Sequence, residues 1–299
     1  MATHSPTARI SHPVTTSLLA NLITAWHLLS LDAPTVATLW TSFIARVMDI
    51  RLSASSLFAI FLAVWAVYAS DRLLDVRHRD PRDGGLSKSL EARHLFHLRH
   101  RQFFLGAIFL AALALIPLIV FMPPAVRDLY LVAGALLLAW LARIHVRRRS
   151  ESTPESLPKE MAVGFFFSAA IFIPNIAQKP PLLAALFLPA LLFANLCFLN
   201  CLFIFAWEHH DPTQSTLRAH GTTRFGIRFL KPIAVLSCGV PLLLLLREHA
   251  LSPILTALSL APVLLLLLHR LRHRLAPITL RAAADLALLT PLLILPFLP

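Results

Sequence analysis

The chain has 299 residues, of which 57% are hydrophobic and only 14% are charged, and its mean hydropathy is +0.72. A soluble domain of this length needs far more charged surface, so the composition excludes a soluble globular protein and predicts a membrane protein. The formal net charge of +12 is first a topology signal in such a chain, and we expect no nucleic-acid partner.

Apolar runs that can cross a bilayer recur along the whole chain, since roughly 20 residues span the hydrocarbon core. Asp32 and Pro34 interrupt the first apolar region, so we expect one main crossing near residues 28–49, preceded by an interfacial segment at residues 1–27. The pattern predicts an all-α, multi-pass bundle of about nine transmembrane helices without a removable signal peptide. The other predicted spans are 52–70, 102–126, 129–142, 161–178, 180–206, 232–246, 250–268 and 282–299.

Lys and Arg are divided unevenly between the two sides of the predicted bundle. The N-terminus and the loops after helices 2, 4, 6 and 8 hold 22 of the 27 basic residues. The positive-inside rule makes this side cytoplasmic, including the N-terminus and the long loops 75–101 and 207–231. The preference for Arg over Lys suggests a bacterial inner membrane. The five basic residues of the opposite side are Arg46, Arg51, Arg127, Lys179 and Arg247.

The second predicted helix ends in acids, within the stretch "AVYASDRLLDVRHRD" at residues 66–80. Asp71 and Asp75 project from one face at the C-terminal end, where the helix dipole and their mutual repulsion are both unfavourable. A cation should offset them, either a neighbouring arginine such as Arg72 or a Mg²⁺ ion, which prefers carboxylate ligands. We favour Mg²⁺, and Asp80 is a weaker candidate ligand because it lies beyond the helix end.

The sixth predicted helix repeats this arrangement in "FANLCFLNCLFIFAWEHHD", residues 193–211. Glu208 and Asp211 lie at or just past its cytoplasmic end. We expect Asn195 to bond to a neighbouring helix, whereas Asn200 either does the same or faces the cavity near Glu208. Two acidic helix ends thus face one basic cytoplasmic mouth, which suits a lipid with an anionic, diphosphate-like head.

This layout resembles the UbiA superfamily of intramembrane prenyltransferases over nearly the whole chain. Members are nine-helix bundles whose two aspartate-rich motifs face the cytoplasm. Their first motif reads NDxxDxxxD, and the matching frame here is "VYASDRLLD" at residues 67–75. Asp71 and Asp75 fall on its second and third aspartates, whereas Val67 and Tyr68 replace the leading Asn-Asp pair.

The resemblance implies one UbiA-like transmembrane domain over residues 28–299 that binds a prenyl diphosphate with Mg²⁺. The substrate would ionise to an allylic cation, which alkylates an acceptor. The implied catalytic residues are Asp71, Asp75 and Glu208; the implied Mg²⁺ ligands are Asp71, Asp75, Glu208 and Asp211; and the implied substrate-binding residues are Tyr68, Arg72, Lys159 and Asn200.

Several of these residues have a second interpretation. Lys159, in "LPKEMAVG", resembles the basic residue that the family places near the phosphates, and it equally fits a snorkelling interfacial lysine. Tyr68 either steadies the cation with its ring or marks the membrane interface, and we favour the interface for Tyr68 and for Trp207. Asp285 in the last helix is expected to pair with Arg281, four residues before it.

Two other function classes compete with the enzyme. One is a catalytically degenerate lipid-binding or transport protein. The other is a membrane metal oxidase, because clustered histidines resemble the His boxes of those enzymes. Histidines at steps of three drift around a helix, however, so we favour a basic amphipathic helix at the membrane surface. The histidines concerned are His94, His97, His100, His209 and His210.

Overall fold

The structure is a computed structural model that describes residues 18–77, 92–147, 158–208 and 220–298. Helices make up 88% of these residues, and none of them lies in a strand, which confirms the all-α class. The described α-helices are α1 (Leu18–Leu28), α2 (Asp32–Val47), α3 (Ala54–Arg77), α4 (Ala92–Arg99), α5 (Arg101–Val120), α6 (Pro124–Arg147), α7 (Lys159–Gln178), α8 (Leu183–Glu208), α9 (Gly221–Arg228), α10 (Leu230–Leu244), α11 (Ser252–Leu271), α12 (Pro277–Leu286) and α13 (Pro291–Ile294).

The membrane character of the chain is visible in the lengths and composition of its helices. Six of them (α3, α5, α6, α7, α8 and α11) are long and apolar enough to cross a membrane alone. Three pairs of shorter helices (α1–α2, α9–α10 and α12–α13) qualify when each pair is counted as one bent span. The described part of the chain therefore has between six and nine segments that are long and apolar enough to cross a membrane, and every predicted span falls on one of these helices or pairs.

Each of the three pairs is sharply bent, by 90° between α1 and α2, 79° between α9 and α10, and 51° between α12 and α13. In the first break Ser30 has a φ of 61°, a left-handed conformation that is uncommon for residues other than glycine. The Ser30 hydroxyl is hydrogen-bonded to Nε2 of His97 on α4 at 3.0 Å. Because of the 90° bend at this break, α1 lies across the axis of α2.

The centre of the bundle lies where α2, α7 and α8 meet. Gly164 of α7 allows the closest approach, because a Cβ atom there would lie 2.5 Å from the carbonyl oxygen of Ala194 on α8. Small residues let membrane helices pack with their backbones close together. Trp40 of α2 packs edge-on against Phe193 at 4.8 Å and donates its indole N–H to the carbonyl of Leu288 at 2.7 Å. The core here is therefore apolar, and the indole N–H of Trp40 is satisfied by a neighbouring part of the chain.

The helices α5 and α6 lie at the periphery of the bundle. Only 11% of the apolar stretch of α5 and 6% of that of α6 is buried inside the protein, against 50% for α11. Exposed apolar side chains on such helices are suited to contact with lipid tails. Tyr130 of α6 nevertheless donates to the carbonyl of Ala170 on α7 at 2.8 Å, which ties α6 to the core.

Asn195 bonds across helices, as the sequence predicts. Its amide on α8 donates to the hydroxyl of Ser237 on α10 at 2.7 Å. Ser237 in turn donates to the carbonyl of Ile233 at 2.8 Å within its own helix. The Asn195 amide therefore has a packing role between α8 and α10, and it does not face the site described below.

Candidate functional site

Asp71 and Lys159, both predicted as site residues, form an ion pair between α3 and α7. Nζ of Lys159 donates to Oδ1 of Asp71 at 3.0 Å and lies 2.9 Å from Oδ2. Asp71 lies near the C-terminal end of α3 and Lys159 is the first residue of α7, so each charge opposes its own helix dipole and offsets the other. Their side chains are 20% and 31% exposed, which places the pair at the edge of the bundle.

Arg72, the next residue after Asp71, points into the protein and is 3% exposed. Its guanidinium donates to Oδ2 of Asp32 at 3.1 Å and to the carbonyl oxygen of His27 at 2.7 Å. It also lies over the ring of Tyr68, 4.4 Å from the centroid, a cation–π distance. Arg72 and Tyr68, both predicted to bind substrate, thus contact each other, and Arg72 also contacts a buried acid.

Arg72 belongs to a set of five buried polar residues, which we call the buried polar cluster: His27, Asp32, Arg72, Asn200 and Asp285. Nδ1 of His27 donates to Oδ2 of Asp32 at 2.6 Å and lies 3.5 Å from Oδ2 of Asp285. The amide of Asn200 donates to Oδ1 of Asp285 at 3.1 Å. None of the five residues is more than 9% exposed. Ionisable groups at this depth are costly in a membrane and typically mark functional sites.

The breaks in two helix pairs build this cluster. His27 lies at the end of α1 and Asp32 is the first residue of α2, where the helix dipole favours a carboxylate. Asp285 lies in the last turn of α12, where the dipole is unfavourable and the Asn200 amide compensates. Helix ends at such breaks supply the ion and substrate sites of many transporters.

The buried polar cluster also contains a possible set of metal ligands. His27, Asp32 and Asp285 each offer one ligand atom, and these atoms lie within 4.8 Å of one another. The Arg72 guanidinium is already the cationic partner of Asp32, however, and Nδ1 of His27 is engaged in a hydrogen bond with Asp32. The cluster therefore supplies its own cation, and we assign it no metal.

Four buried polar atoms of this cluster have no hydrogen-bond partner among the described residues. They are Nε2 of His27, Nε of Arg72, Oδ1 of Asn200 and Oδ2 of Asp285. A buried polar atom without a partner costs free energy comparable to a lost hydrogen bond. The buried polar cluster therefore keeps unused hydrogen-bonding capacity.

Glu208 ends α8 and forms an ion pair with Arg281 of α12. The sequence led us to expect Arg281 to pair with Asp285, and this is wrong: Asp285 contacts Asn200 and His27 instead. The reason is that Arg281 lies one helical turn nearer the end of the bundle, level with Glu208. Asn200 consequently reaches Asp285 and not a cavity beside Glu208.

The four predicted Mg²⁺ ligands are only partly described. The side chain of Asp75 and all of Asp211 lie outside the described residues. Asp71 and Glu208 offer carboxylate oxygens, the donor type that Mg²⁺ prefers, and each is paired with a basic side chain of this chain. No described hydrogen bond or ion pair joins Asp71 to Glu208.

The histidine arrangement is described in part, because His94, His209 and His210 lie outside the described side chains. His97 is fully buried and its ring stacks on Phe104 at 4.0 Å. His100 is exposed and bonds to the carbonyl of Phe96 in its own helix at 2.9 Å. The ring of His97 thus lies inside the protein and that of His100 lies at its surface, as expected because residues three apart drift around a helix.

Trp207 does not mark the membrane interface as expected. It is 7% exposed, and its indole N–H donates to Nδ1 of His269 on α11 at 3.0 Å. Its apolar ring is therefore covered by protein rather than by lipid headgroups. Tyr68 is half-buried, and its ring faces the Arg72 guanidinium.

An apolar groove of about 490 Å³ runs along α3 and α5 and opens toward the surroundings. Its walls include Phe58, Phe61 and Trp65 of α3. Trp65 lies on the same face of α3 as Arg72, since seven residues make about two helical turns. Aromatic and aliphatic walls of this kind suit a hydrocarbon chain.

His27 is the residue of the buried polar cluster that sequence reasoning missed altogether. Asp32 was interpreted only as an interruption of an apolar region, although a charged residue within such a region is itself a signal of a functional position. A histidine five residues before that aspartate, in the same apolar region, was the further clue.

Comparisons of the chain with protein-family models, with curated proteins and with solved structures give no match. The chemistry of the site therefore rests on the residues and contacts described above.

Proposed function

We propose that this chain is a membrane-embedded prenyltransferase of the UbiA type, which binds a prenyl diphosphate at the end of the bundle that carries Asp71 and Lys159. The ion pair between these side chains carries the proposal. It places a cation suited to phosphate beside the acid of the motif-like stretch, although 88 residues separate the two. The resemblance implies this neighbourhood of a basic residue on the fifth crossing and acids on the second.

Lys159 would hold the diphosphate through charge-assisted hydrogen bonds. Its side chain is 31% exposed, so a ligand can reach it from the edge of the bundle. Diphosphate oxygens would replace Asp71 as its partner, and the Asp71 carboxylate would become available to Mg²⁺. In this proposal Asp71 and Asp75 hold one ion, and Glu208 with Asp211 holds a second. Bound Mg²⁺ would neutralise negative charge on the diphosphate.

The reaction breaks the bond between the allylic carbon and the diphosphate oxygen, and the bonding electron pair leaves with the diphosphate. The allylic carbon then forms a bond to the acceptor, which loses a proton. Lys159 stabilises the negative charge that grows on the leaving group. Tyr68 presents an aromatic ring, a group that stabilises cations such as the allylic cation, and Arg72 lies over this ring at 4.4 Å.

Arg72 and Asn200 act in this proposal by positioning rather than by touching substrate. Arg72 fixes α3 against the start of α2 through Asp32, and Asn200 fixes α8 against α12 through Asp285. The helix ends that carry Asp71 and Glu208 are held in place by these contacts. The apolar groove along α3 and α5 is the space that we assign to the isoprenoid tail.

The test is diphosphate release by the purified full chain. The protein in lipid-containing micelles is given allylic diphosphates of several chain lengths, Mg²⁺ and a membrane lipid extract as the acceptor source. We expect D71N and K159Q to lower the release rate by about a hundredfold or more. D128N is the matched control, since Asp128 is an exposed acid paired with Arg127 near the start of α6. No release and no bound prenyl diphosphate across the panel would contradict the proposal.

A transport or lipid-carrying function is the second candidate, and the buried polar cluster favours it. Buried charges at the breaks of two bent helix pairs are typical of transporters. Asp71 and Glu208 are each neutralised by a cation of the chain itself, which a non-catalytic protein would tolerate. Such a protein would move a labelled prenyl lipid across proteoliposome membranes without consuming it, and D285N would slow that movement.

A further inference from the structure

A pocket of about 230 Å³ lies between the end of α8 and the start of α12, beside the short helical turn Arg272–Arg274. Its polar lining is mostly basic. Arg272, His273 and Arg281 contribute to it, together with a single acid, Glu208. Apolar side chains close the remaining walls. The Asp71–Lys159 pair does not line this pocket, which shares Glu208 with the proposed prenyl-diphosphate site.

The geometry of this pocket holds its arginines in place. Nη1 of Arg272 donates to the carbonyl oxygen of His269 at 2.7 Å, and His269 is fixed by the indole of Trp207. Arg281 is held from the opposite wall by its ion pair with Glu208. The Arg272 guanidinium is thus ordered in advance, which lowers the entropic cost of binding a ligand.

The charges of the pocket favour an anion. Two guanidinium groups face one carboxylate, so the lining is net positive even with His273 neutral. Arginine presents a planar fork of donors that matches phosphate oxygens in pairs. Basic pockets between membrane helices on the cytoplasmic side are suited to phosphate-bearing headgroups.

We propose that this pocket, lined by Arg272, His273, Arg281 and Glu208, is a second binding site, which takes a phosphate group. The group is carried either by an anionic lipid head or by free diphosphate. Glu208 acts as an internal competitor, since its carboxylate occupies Arg281 until a phosphate replaces it. The site needs no prenyl transfer, so it can exist whether or not the proposed enzyme activity does.

The experiment measures phosphate binding to the purified full chain by two probes. Native mass spectrometry counts phosphatidic acid against phosphatidylcholine bound from mixed micelles, and calorimetry measures binding of inorganic diphosphate. We expect R272Q to weaken binding about tenfold or more, because a charge-assisted bond is lost. R274Q is the matched control, since Arg274 is exposed and does not line the pocket. E208Q should strengthen binding, because Arg281 loses its competing carboxylate.

The two probes separate the sources of the phosphate. Preference for phosphatidic acid that inorganic diphosphate does not displace assigns the site to a lipid head, and displacement by diphosphate assigns it to the free anion. Equal affinities for R272Q, R274Q and the unaltered chain would overturn the proposal. A loss of affinity in E208Q would overturn it as well, because a competing carboxylate cannot strengthen anion binding. Since E208Q should weaken prenyl transfer but strengthen phosphate binding, failure of one proposal is distinguishable from failure of the other.

Discussion

The guanidinium of Arg72 lies 3.1 Å from the carboxylate of Asp32, in an interior where the two side chains are 3% and 0% exposed. This contact joins the C-terminal part of α3 to the first residue of α2, next to the proposed prenyl-diphosphate site. Removing one partner of such a pair leaves the other charge buried without compensation, which costs more than the pair itself contributes.

Replacing Asp32 should therefore destabilise the protein strongly. We expect D32N to lower the free energy of unfolding by about 3–5 kcal/mol, since Arg72 stays buried and loses the carboxylate to which it is directly bonded. The double variant D32N/R72Q should lose less than the sum of the two single variants, because neither charge is then left alone. Unfolding of the full chain in mixed micelles, followed by circular dichroism, measures both. Additive and small effects would show that the contact does not hold the helices together.

Loss of the Asp71–Lys159 pair should change stability little and diphosphate release strongly. Both side chains are partly exposed, so K159Q should change the free energy of unfolding by no more than about 1 kcal/mol. The same variant should nearly abolish diphosphate release, since Lys159 is proposed to stabilise the leaving group. Parallel thermal melts and release assays check this split. A large loss of stability with unchanged release per folded molecule would make the pair structural.

The helix spans could be predicted from the sequence, because a chain in lipid must satisfy its backbone internally and therefore forms helices wherever it is apolar. The directions in which the side chains at the end of α3 point could not be predicted from the sequence. Asp71 and Arg72 are adjacent and point about 100° apart around the helix. Only the position of α2 decides that Arg72 is the buried one and that Asp71 lies at the edge.

The contacts within the buried polar cluster could not be predicted from the sequence either. Its contacts join Asn200 with Asp285 and Arg72 with His27, pairs separated by 85 and 45 residues. No local period links such positions. The sequence showed the charges but not the two helix breaks that bring them together.

Gly164 should tolerate no side chain. An alanine Cβ would lie 2.5 Å from the backbone oxygen of Ala194, and backbone atoms cannot move aside as a flexible side chain can. We expect G164A to lower the free energy of unfolding by about 1–3 kcal/mol through overpacking between α7 and α8. G134A is the matched control, because nothing lies within 4 Å of a Cβ at that helical glycine. That variant should be neutral or more stable by up to about 1 kcal/mol. Equal melting temperatures for the two variants would contradict this close approach.

The distribution of basic residues predicts which ends of the helices face the cytoplasm, and cysteine labelling can check it. A cysteine placed at Arg274, an exposed position after α11, should be shielded in intact cells from a membrane-impermeant maleimide and labelled after lysis. A cysteine at Arg51, an exposed position between α2 and α3, should react in intact cells if the host has no outer membrane barrier, or in spheroplasts otherwise. The background chain carries alanine at its three native cysteines, Cys197, Cys201 and Cys238. Labelling of both positions from the same side would contradict an odd number of crossings between them and, with it, the placement of Asp71 and Lys159 at the cytoplasmic face.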